Sequence, residues 1–301
     1  MLKAFTAATG IRVNFIFASS GLIERMAAEG RNSPADVLLT NESGLLIQAV
    51  EAGTTAPLHD AVLEQAIPAP LRDPEGNWFG LTKRARVVYA SRDRVKETAI
   101  TYEELAEPKW HGRICTRSGQ HTYNIALIAS MIAHHGAAEA ETWLKGLKAN
   151  LAHKPAGGDR EAVRDVAASV CDIAIGNTYY LAQIIKSPDT KAWADRVRII
   201  FPNAGDRGAH VNISGMALAR YAPDRDNAVA LMRYLVSPEA QNLYAEVNGE
   251  YPVVEGVAVS PLVASWGELK GDSLPLAEVS KLRRQASELV DKVRFDQGPN
   301  S

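Results

Sequence analysis

Cys171-Asp-Ile-Ala-Ile-Gly-Asn-Thr-Tyr179-Tyr180 is a short apolar strand that gives way directly to a helix beginning on two adjacent tyrosines. A second stretch, Arg113-Ile-Cys-Thr-Arg-Ser-Gly-Gln-His-Thr-Tyr123-Asn, repeats this arrangement with a single tyrosine. Units in which a strand runs into a helix build α/β folds, where helices cover the faces of a sheet. The two stretches therefore predict an α/β fold with three tyrosines at the carboxyl ends of strands.

The remainder of the chain continues the alternation of strands and helices. Branched and aromatic residues predict strands, and apolar residues at helical spacing predict the helices between them. Alternating βα units favour a mostly parallel sheet. Besides the two strands above, we predict strands at Ile11–Phe17, Asp36–Thr40, Arg86–Ala90, Val197–Phe201 and Ile213–Leu218.

The length of 301 residues predicts two lobes, because one hydrophobic core usually divides beyond roughly 250–300 residues. We assign residues 1–88 and 206–301 to a discontinuous first lobe, and residues 89–205 to the second. The chain would then cross between lobes twice, near Arg86–Ser91 and near Pro202–Gly215. Two crossing strands permit a hinge motion that closes the lobes around a ligand.

The composition excludes several classes of function. Hydrophobic residues make up 46% and charged residues 23%, as in ordinary globular proteins. A net charge of −2 gives no reason to expect a nucleic acid as partner. No apolar run reaches the roughly 18–20 residues that a membrane span requires. The first ten residues lack the apolar core of a secretory signal and predict a short helix that ends at Gly10.

Three tyrosines at strand ends predict a site for a hard metal ion. A free phenol titrates near 10 and is protonated at neutral pH, whereas a bound trivalent cation holds it as phenolate. Hard oxygen ligands favour hard cations, so Tyr123, Tyr179 and Tyr180 point to Fe(III). A Tyr-Tyr pair is more often packed in a core or an interface, and the residues alone leave that alternative open.

Five residues near these tyrosines are candidates for binding an anion or supporting the ligands. Arg84 and Arg86 would supply positive charge, although a solvated run of charges is the commoner explanation. Ser118 lies in the turn at 116–120, which could bind an anion or be an ordinary loop. His121 precedes Tyr123 by two residues, and Asn177 could cap the helix that carries the tyrosine pair.

Cys115 and Cys171 each lie eight residues before a tyrosine position. Their spacing matches no zinc motif. Two buried thiols are the simpler interpretation, and a disulfide is the alternative if the two strands are neighbours. No arrangement of residues for nucleophilic catalysis and no phosphate-binding glycine loop stands out, so we expect no enzyme.

Several segments resemble the ferric-ion-binding proteins of bacterial ABC iron importers, over nearly the whole chain. The resemblance is greatest to the tyrosine-rich branch of that family. The segments are Asn32-Ser-Pro-Ala-Asp36-Val-Leu-Leu-Thr40, Lys109-Trp-His-Gly-Arg113-Ile-Cys-Thr-Arg-Ser-Gly, Gly157-Gly-Asp-Arg160, Gly176-Asn-Thr-Tyr-Tyr180 and His210-Val-Asn-Ile-Ser-Gly215.

The resemblance implies a two-lobed periplasmic binding-protein fold of type II character with two crossing hinge strands. It implies a periplasmic monomer that captures Fe(III) in the cleft through Tyr123, Tyr179 and Tyr180 and delivers it to an inner-membrane ABC permease. A synergistic anion such as carbonate would bind near Arg86 or Arg84. Capture and delivery, rather than catalysis, would be its function.

One feature of the family is absent from this sequence. Members of the family begin with a signal peptide and a strand whose end supplies a further His or Tyr ligand. Because this segment is missing from the sequence, other hypotheses stay open. One is a binding protein of the same fold for another small anion or a polyamine, and another is a truncated paralogue without function. An enzyme that uses a tyrosine as acid or base is a further alternative.

Overall fold

The computed structural model describes residues 1–18 and 20–300 of the chain. The helices are α1 (Leu2–Thr9), α2 (Leu22–Glu29), α3 (Ser43–Glu51), α4 (Ala61–Ala66), α5 (Thr122–Ala149), α6 (Asp159–Ala167), α7 (Thr178–Lys186), α8 (Lys191–Ala194), α9 (Arg225–Leu235), α10 (Pro238–Asn248), α11 (Pro261–Ala264), α12 (Leu276–Lys281) and α13 (Arg283–Lys292). The strands are β1 (Val37–Thr40), β2 (Phe79–Ser91), β3 (Ile114–Cys115), β4 (Ile173–Asn177), β5 (Val197–Ile200), β6 (Val211–Leu218) and β7 (Tyr251–Pro252). Among the described residues, none of the helices is both long and apolar enough to cross a membrane.

The chain divides into two compact units. Unit 1 consists of Met1–Lys83 and Ile213–Ser260, and unit 2 consists of Arg84–Asn212 and Pro261–Ser301. Strands β2 and β6 each contribute residues to both units, as expected for crossing strands. A third passage of the chain, at residues 260–261, was not expected from the sequence.

The C-terminal segment differs from the predicted boundaries, which placed it in the first lobe. In unit 2, α13 packs against α5. Leu289 and Val290 of α13 belong to the same buried cluster as Leu144 of α5, and the Lys148 ammonium donates to the Val293 carbonyl at 3.1 Å. Burial of the apolar face of α13 against α5 removes that face from water, which explains why residues 261–301 group with unit 2.

In unit 1, β1 lies antiparallel to β6, with Val37 opposite Leu218. Helix α1 ends at Gly10 in the left-handed conformation, as predicted. The predicted strand Ile11–Phe17 is wrong, because that segment has no regular secondary structure and Phe17 is 94% exposed. Branched and aromatic residues raise strand propensity, but a strand persists only where a neighbour completes its hydrogen-bond ladder.

In unit 2, the sheet is mixed. The second half of β2 lies antiparallel to both β4 and β5, whereas β3 lies parallel to β4. The expectation of a mostly parallel sheet is therefore wrong. The physical reason is β2, a 13-residue strand that runs opposite to both of its neighbours in this unit, β4 and β5.

Gly176 allows β4 to lie close to the ring of Tyr89. A Cβ atom at Gly176 would lie 2.2 Å from a ring carbon of Tyr89, which is buried and donates its hydroxyl proton to the Asn177 carbonyl. A larger residue would force the ring or the strand to move. Glycine thus fixes the end of β4, where the tyrosine pair begins.

Cys115 and Cys171 form a disulfide, with their Cα atoms 5.9 Å apart. The interpretation as two free thiols is wrong, because β3 and β4 are neighbours and bring the two sulfurs together. The bond links the last residue of β3 to Cys171, which lies two positions before β4. It joins the two strands that precede the tyrosines.

Candidate metal centre

The three tyrosines lie in the first turns of two helices of unit 2. Tyr123 is the second residue of α5, and Tyr179 and Tyr180 are the second and third residues of α7. The helices follow β3 and β4, whose parallel pairing puts their carboxyl ends at one edge of the sheet. The two strand-to-helix junctions therefore bring together residues that are 56 positions apart.

The phenol oxygens of Tyr123 and Tyr179 lie 3.1 Å apart, within hydrogen-bond distance. The ring centroids of Tyr179 and Tyr180 are 4.3 Å apart, with the planes tilted by 35°. Tyr123 is buried, and the pair is half-buried. The three phenols thus form one cluster, and at least two of its oxygens are close enough to bind the same ion.

Burial keeps the phenols of Tyr123 and Tyr179 protonated while no cation is bound. It raises the pKa of Tyr123 above its usual value, against the lowering effect of the hydrogen bond to Tyr179. The pKa of Tyr179 is raised further, first by burial and then by repulsion from the neighbouring Tyr123 and Tyr180 phenolates. A cation that is bound by the phenolate oxygens must therefore displace their protons.

His121 contacts the first tyrosine directly. It is the N-cap of α5, where its Nδ1 accepts a hydrogen bond from the Tyr123 N–H at 3.3 Å. Its ring packs edge-on against the Tyr123 ring at 4.5 Å. Burial, followed by the charge of Arg117, lowers the pKa of His121 to about 4, so the imidazole is neutral at pH 7.

Arg86 is held in place by a buried network. One guanidinium nitrogen donates to Asp159 at 2.6 Å and to the Asn177 side-chain oxygen at 3.2 Å, and the other donates to Asn124 at 2.7 Å. Asp159 in turn accepts from the Asn177 N–H at 2.9 Å. The network ties β2, β4, α5 and α6 together next to the tyrosines.

A small pocket of unit 2 lies beside Tyr123. Its lining residues are Arg84, Arg86, Tyr123, Asn177, His210 and Asn212. The guanidinium carbons of Arg84 and Arg86 each lie 5.9 Å from the Tyr123 ring centre. Buried lining atoms without a hydrogen-bond partner in the described part of the chain include Arg86 Nε, Asn177 Nδ2 and His210 Nε2.

Ser118 does not line this pocket and is hydrogen-bonded elsewhere. Its hydroxyl donates to Asp296 at 2.6 Å, and the Gly119 N–H donates to the same carboxylate at 2.7 Å. The turn at 116–120 thus binds an anion, but the anion is a side chain of this protein. Asn177 precedes α7 as expected, although its side chain accepts from Arg86 rather than capping the helix.

Sequence reasoning gave no role to Asp159, Asn124 or His210. Asp159 follows two glycines at the first position of α6, and Asn124 directly follows Tyr123. A carboxylate at a helix N-terminus after glycines was the available signal for Asp159. The position of His210 beside the pocket depends on tertiary structure and had no local signal.

Comparison with known proteins agrees with this architecture. The family model described as bacterial extracellular solute-binding protein matches residues 1–271. Iron uptake protein A2 of Synechocystis sp. is 44% identical over 287 residues, which is 93% of this chain and 83% of that protein.

Two solved structures also match. A Bordetella ferric binding protein is 51% identical, with a TM-score of 0.93 over 98% of this chain and 94% of its own. A Trichodesmium protein in complex with iron and citrate ligands is 44% identical, with a TM-score of 0.95 over the same shares of the two chains. The expected two-lobed periplasmic binding-protein fold is therefore confirmed. This chain belongs to the bacterial extracellular solute-binding protein family, and its close homologues are iron uptake and ferric-binding proteins.

Proposed function

We propose that this protein is the substrate-binding component of an ABC importer and that it captures Fe(III) through the phenolates of Tyr123, Tyr179 and Tyr180. The observation that carries the proposal is the 3.1 Å separation of the Tyr123 and Tyr179 oxygens. The names of the relatives, which describe iron uptake and ferric binding, support it.

Three features of unit 2 suit a trivalent cation bound by phenolates. Phenolate oxygens are hard ligands and match Fe(III) better than soft or borderline ions. The tyrosines lie in the first turns of α5 and α7, where the helix dipole favours negative charge. The cationic groups of Arg84, Arg86 and Arg117 lie 5.2–5.9 Å from the Tyr123 ring centre and stabilise its anionic form.

The pocket beside Tyr123 is where a synergistic anion would bind. Arg86 Nε and Asn177 Nδ2 are N–H donors, and His210 Nε2 can also donate in one tautomer. Leaving buried donors unpaired costs about 1–3 kcal/mol each, so an oxygen ligand at these atoms is favourable. A small oxyanion such as carbonate would satisfy these donors with one oxygen and extend another toward iron.

The captured ion would be passed on rather than transformed. The protein would act as a periplasmic monomer that delivers Fe(III) to an inner-membrane permease, as the family membership suggests. The tyrosines would take up protons when iron leaves, because a phenol without a bound cation is protonated at neutral pH.

The central test is a titration of purified protein with ferric citrate, followed by visible absorption. Coordination of phenolate to Fe(III) gives a broad red charge-transfer band, which we expect to saturate at one equivalent. The band should be lost in the double variant Tyr179→Phe, Tyr180→Phe. A wild-type protein without the band, or a double variant that keeps it, would contradict the proposal.

The anion is tested by the same titration with ferric nitrilotriacetate in carbonate-free buffer. We expect tighter iron binding, and a shifted band, when bicarbonate is added back. Arg84 also lines the pocket, so Arg84→Gln removes positive charge beside the anion and should reduce this response while leaving the band itself in place. An Arg84→Gln protein that responds to bicarbonate as the wild type does would refute the assignment of the pocket.

A further inference from the structure

A second cluster of ligand-type side chains lies in unit 2 around the disulfide. Nε2 of His153 is 3.5 Å from the Cys115 sulfur and 3.9 Å from Oδ2 of Asp165. The three ligand atoms all lie within 4.8 Å of one another. None of these residues takes part in the tyrosine cluster.

The spacing of this cluster matches a tetrahedral zinc site. Bonds of about 2.3 Å to sulfur and about 2.0–2.1 Å to nitrogen place those two ligand atoms about 3.6 Å apart in a tetrahedron. The observed separation of Cys115 Sγ and His153 Nε2 is 3.5 Å. The carboxylate oxygen is 3.9 Å from Nε2 and within 4.8 Å of the sulfur, so a shift of about one ångström would bring it to the separations of a tetrahedral site.

The other atoms of these side chains are already held in the way that metal ligands require. Nδ1 of His153 donates to the Lys154 carbonyl at 2.6 Å, which leaves the lone pair of Nε2 facing the sulfur. Oδ1 of Asp165 accepts two hydrogen bonds from Arg164, at 2.9 and 3.0 Å, so Oδ2 is directed to the histidine. Such outer contacts orient ligands in metal sites and increase their affinity.

The backbone around the cluster is fixed as well. Cys115 is on β3 and Asp165 is on α6. The loop that carries His153 is hydrogen-bonded to the β3 segment on both sides of the histidine. The Ala152 N–H donates to the Ile114 carbonyl at 2.8 Å, and the Ala156 N–H donates to the Thr116 carbonyl at 3.3 Å. The backbone therefore holds the three side chains near one another, and only small side-chain movements are needed to form the site.

The sulfur of Cys115 is a poor ligand while it is bonded to Cys171. We propose that Cys115, His153 and Asp165 form a second metal site, for a borderline divalent cation such as Zn²⁺, that opens when this disulfide is reduced. A dithiol reductant supplies two electrons and two protons; the S–S bond breaks, two thiols form, and the reductant becomes a disulfide. The Cys115 thiol then releases its proton to solvent as the thiolate binds the metal, and water takes the fourth position.

A pair of variants that both lack the disulfide isolates the contribution of Cys115. Cys171→Ser leaves the Cys115 thiol free without any reductant, whereas Cys115→Ser removes the proposed ligand and leaves Cys171. Titration with Co²⁺ under anaerobic conditions reports thiolate binding through a sulfur-to-cobalt charge-transfer band. We expect the band at one equivalent in Cys171→Ser and none in Cys115→Ser.

The histidine is tested within the Cys171→Ser background. His153→Ala should weaken Co²⁺ binding at least about tenfold, while the matched variant of an exposed histidine, His111→Ala, should leave it unchanged. Equal bands in the two serine variants, or a folded Cys171→Ser protein without a band, would overturn the proposal.

Wild-type protein provides a second test if a serine variant does not fold. Oxidised protein should give no band. Protein that has been reduced with dithiothreitol, with the dithiothreitol then removed, should give the charge-transfer band. His153→Ala should weaken that band. An oxidised protein that binds Co²⁺ as strongly as the reduced protein would also overturn the proposal.

Discussion

Tyr123 and Tyr179, which are 56 positions apart in the chain, place their phenol oxygens 3.1 Å from each other. The cause is the parallel pairing of β3 and β4, since each strand leads into a helix with a tyrosine at its second position. Burial raises the pKa of both phenols, so both stay protonated while no cation is bound. Under the proposed function, a trivalent cation would make this arrangement favourable, because it would replace the protons with a stronger charge.

Single substitutions should rank the tyrosines as ligands. Tyr123→Phe, Tyr179→Phe and Tyr180→Phe keep the ring but remove the oxygen. We expect each to weaken Fe(III) binding by more than the roughly 10–100-fold that loss of an outer-shell partner costs. Competition against a chelator of known affinity measures the change. Tyr221→Phe, in unit 1, is the matched control; a similar loss there would indicate a general effect of tyrosine substitution.

Iron affinity should fall as pH falls. The raised pKa values of Tyr123 and Tyr179 mean that these phenols carry protons at neutral pH and release them when iron binds. Each released proton changes the binding constant by about tenfold per pH unit. Competition titrations between about pH 6 and about pH 8 should therefore show a steep decline toward acid. A binding constant that does not vary over this range would mean that phenolates are not the ligands.

The buried pair of Arg86 and Asp159 should contribute strongly to the stability of the fold. Both side chains are at most 2% exposed, so Asp159→Asn leaves a buried guanidinium without its counterion. Loss of one partner of a buried pair costs about 3–5 kcal/mol, which urea unfolding would detect.

An exposed ion pair serves as the control for that experiment. Arg284 and Glu288 lie 2.9 Å apart with side chains 91% and 63% exposed. Glu288→Gln should change the unfolding free energy little, because water screens exposed pairs. Equal losses in Asp159→Asn and Glu288→Gln would contradict a structural role for the buried pair.

Acid should destabilise the protein through His210. Burial lowers the pKa of this histidine to about 4, whereas an unfolded histidine titrates near 6.5. The unfolded state therefore binds a proton that the folded state does not, and stability is lost as pH falls from about 6.5 toward 4. The loss at pH 5 is about 2 kcal/mol.

His210→Asn removes this titration and should flatten the dependence of stability on pH over that interval. Urea unfolding at about pH 7 and about pH 5 measures it for both proteins. The wild type should lose more stability than the variant. Identical losses in the two proteins would show that His210 does not titrate differently on folding.

The local pattern of the sequence predicted the junctions that carry the tyrosines, because a strand followed by a capped helix is specified within about ten residues. It did not predict the direction of β2 relative to β4, since strand direction is set by the path of the whole chain. The segment Ile11–Phe17 shows the same limit, because its residues favour a strand but its pairing depends on distant parts of the chain. The partner of Arg86 was also missed, since Asp159 lies 73 positions away.

Anomalous diffraction at the iron absorption edge, from crystals of iron-loaded protein, locates the bound ion relative to the three tyrosines. We expect one strong peak at bonding distance from the phenol oxygens of Tyr123, Tyr179 and Tyr180. A peak elsewhere, with the Tyr123 and Tyr179 oxygens still hydrogen-bonded to each other and not bound to iron, would contradict the proposed site.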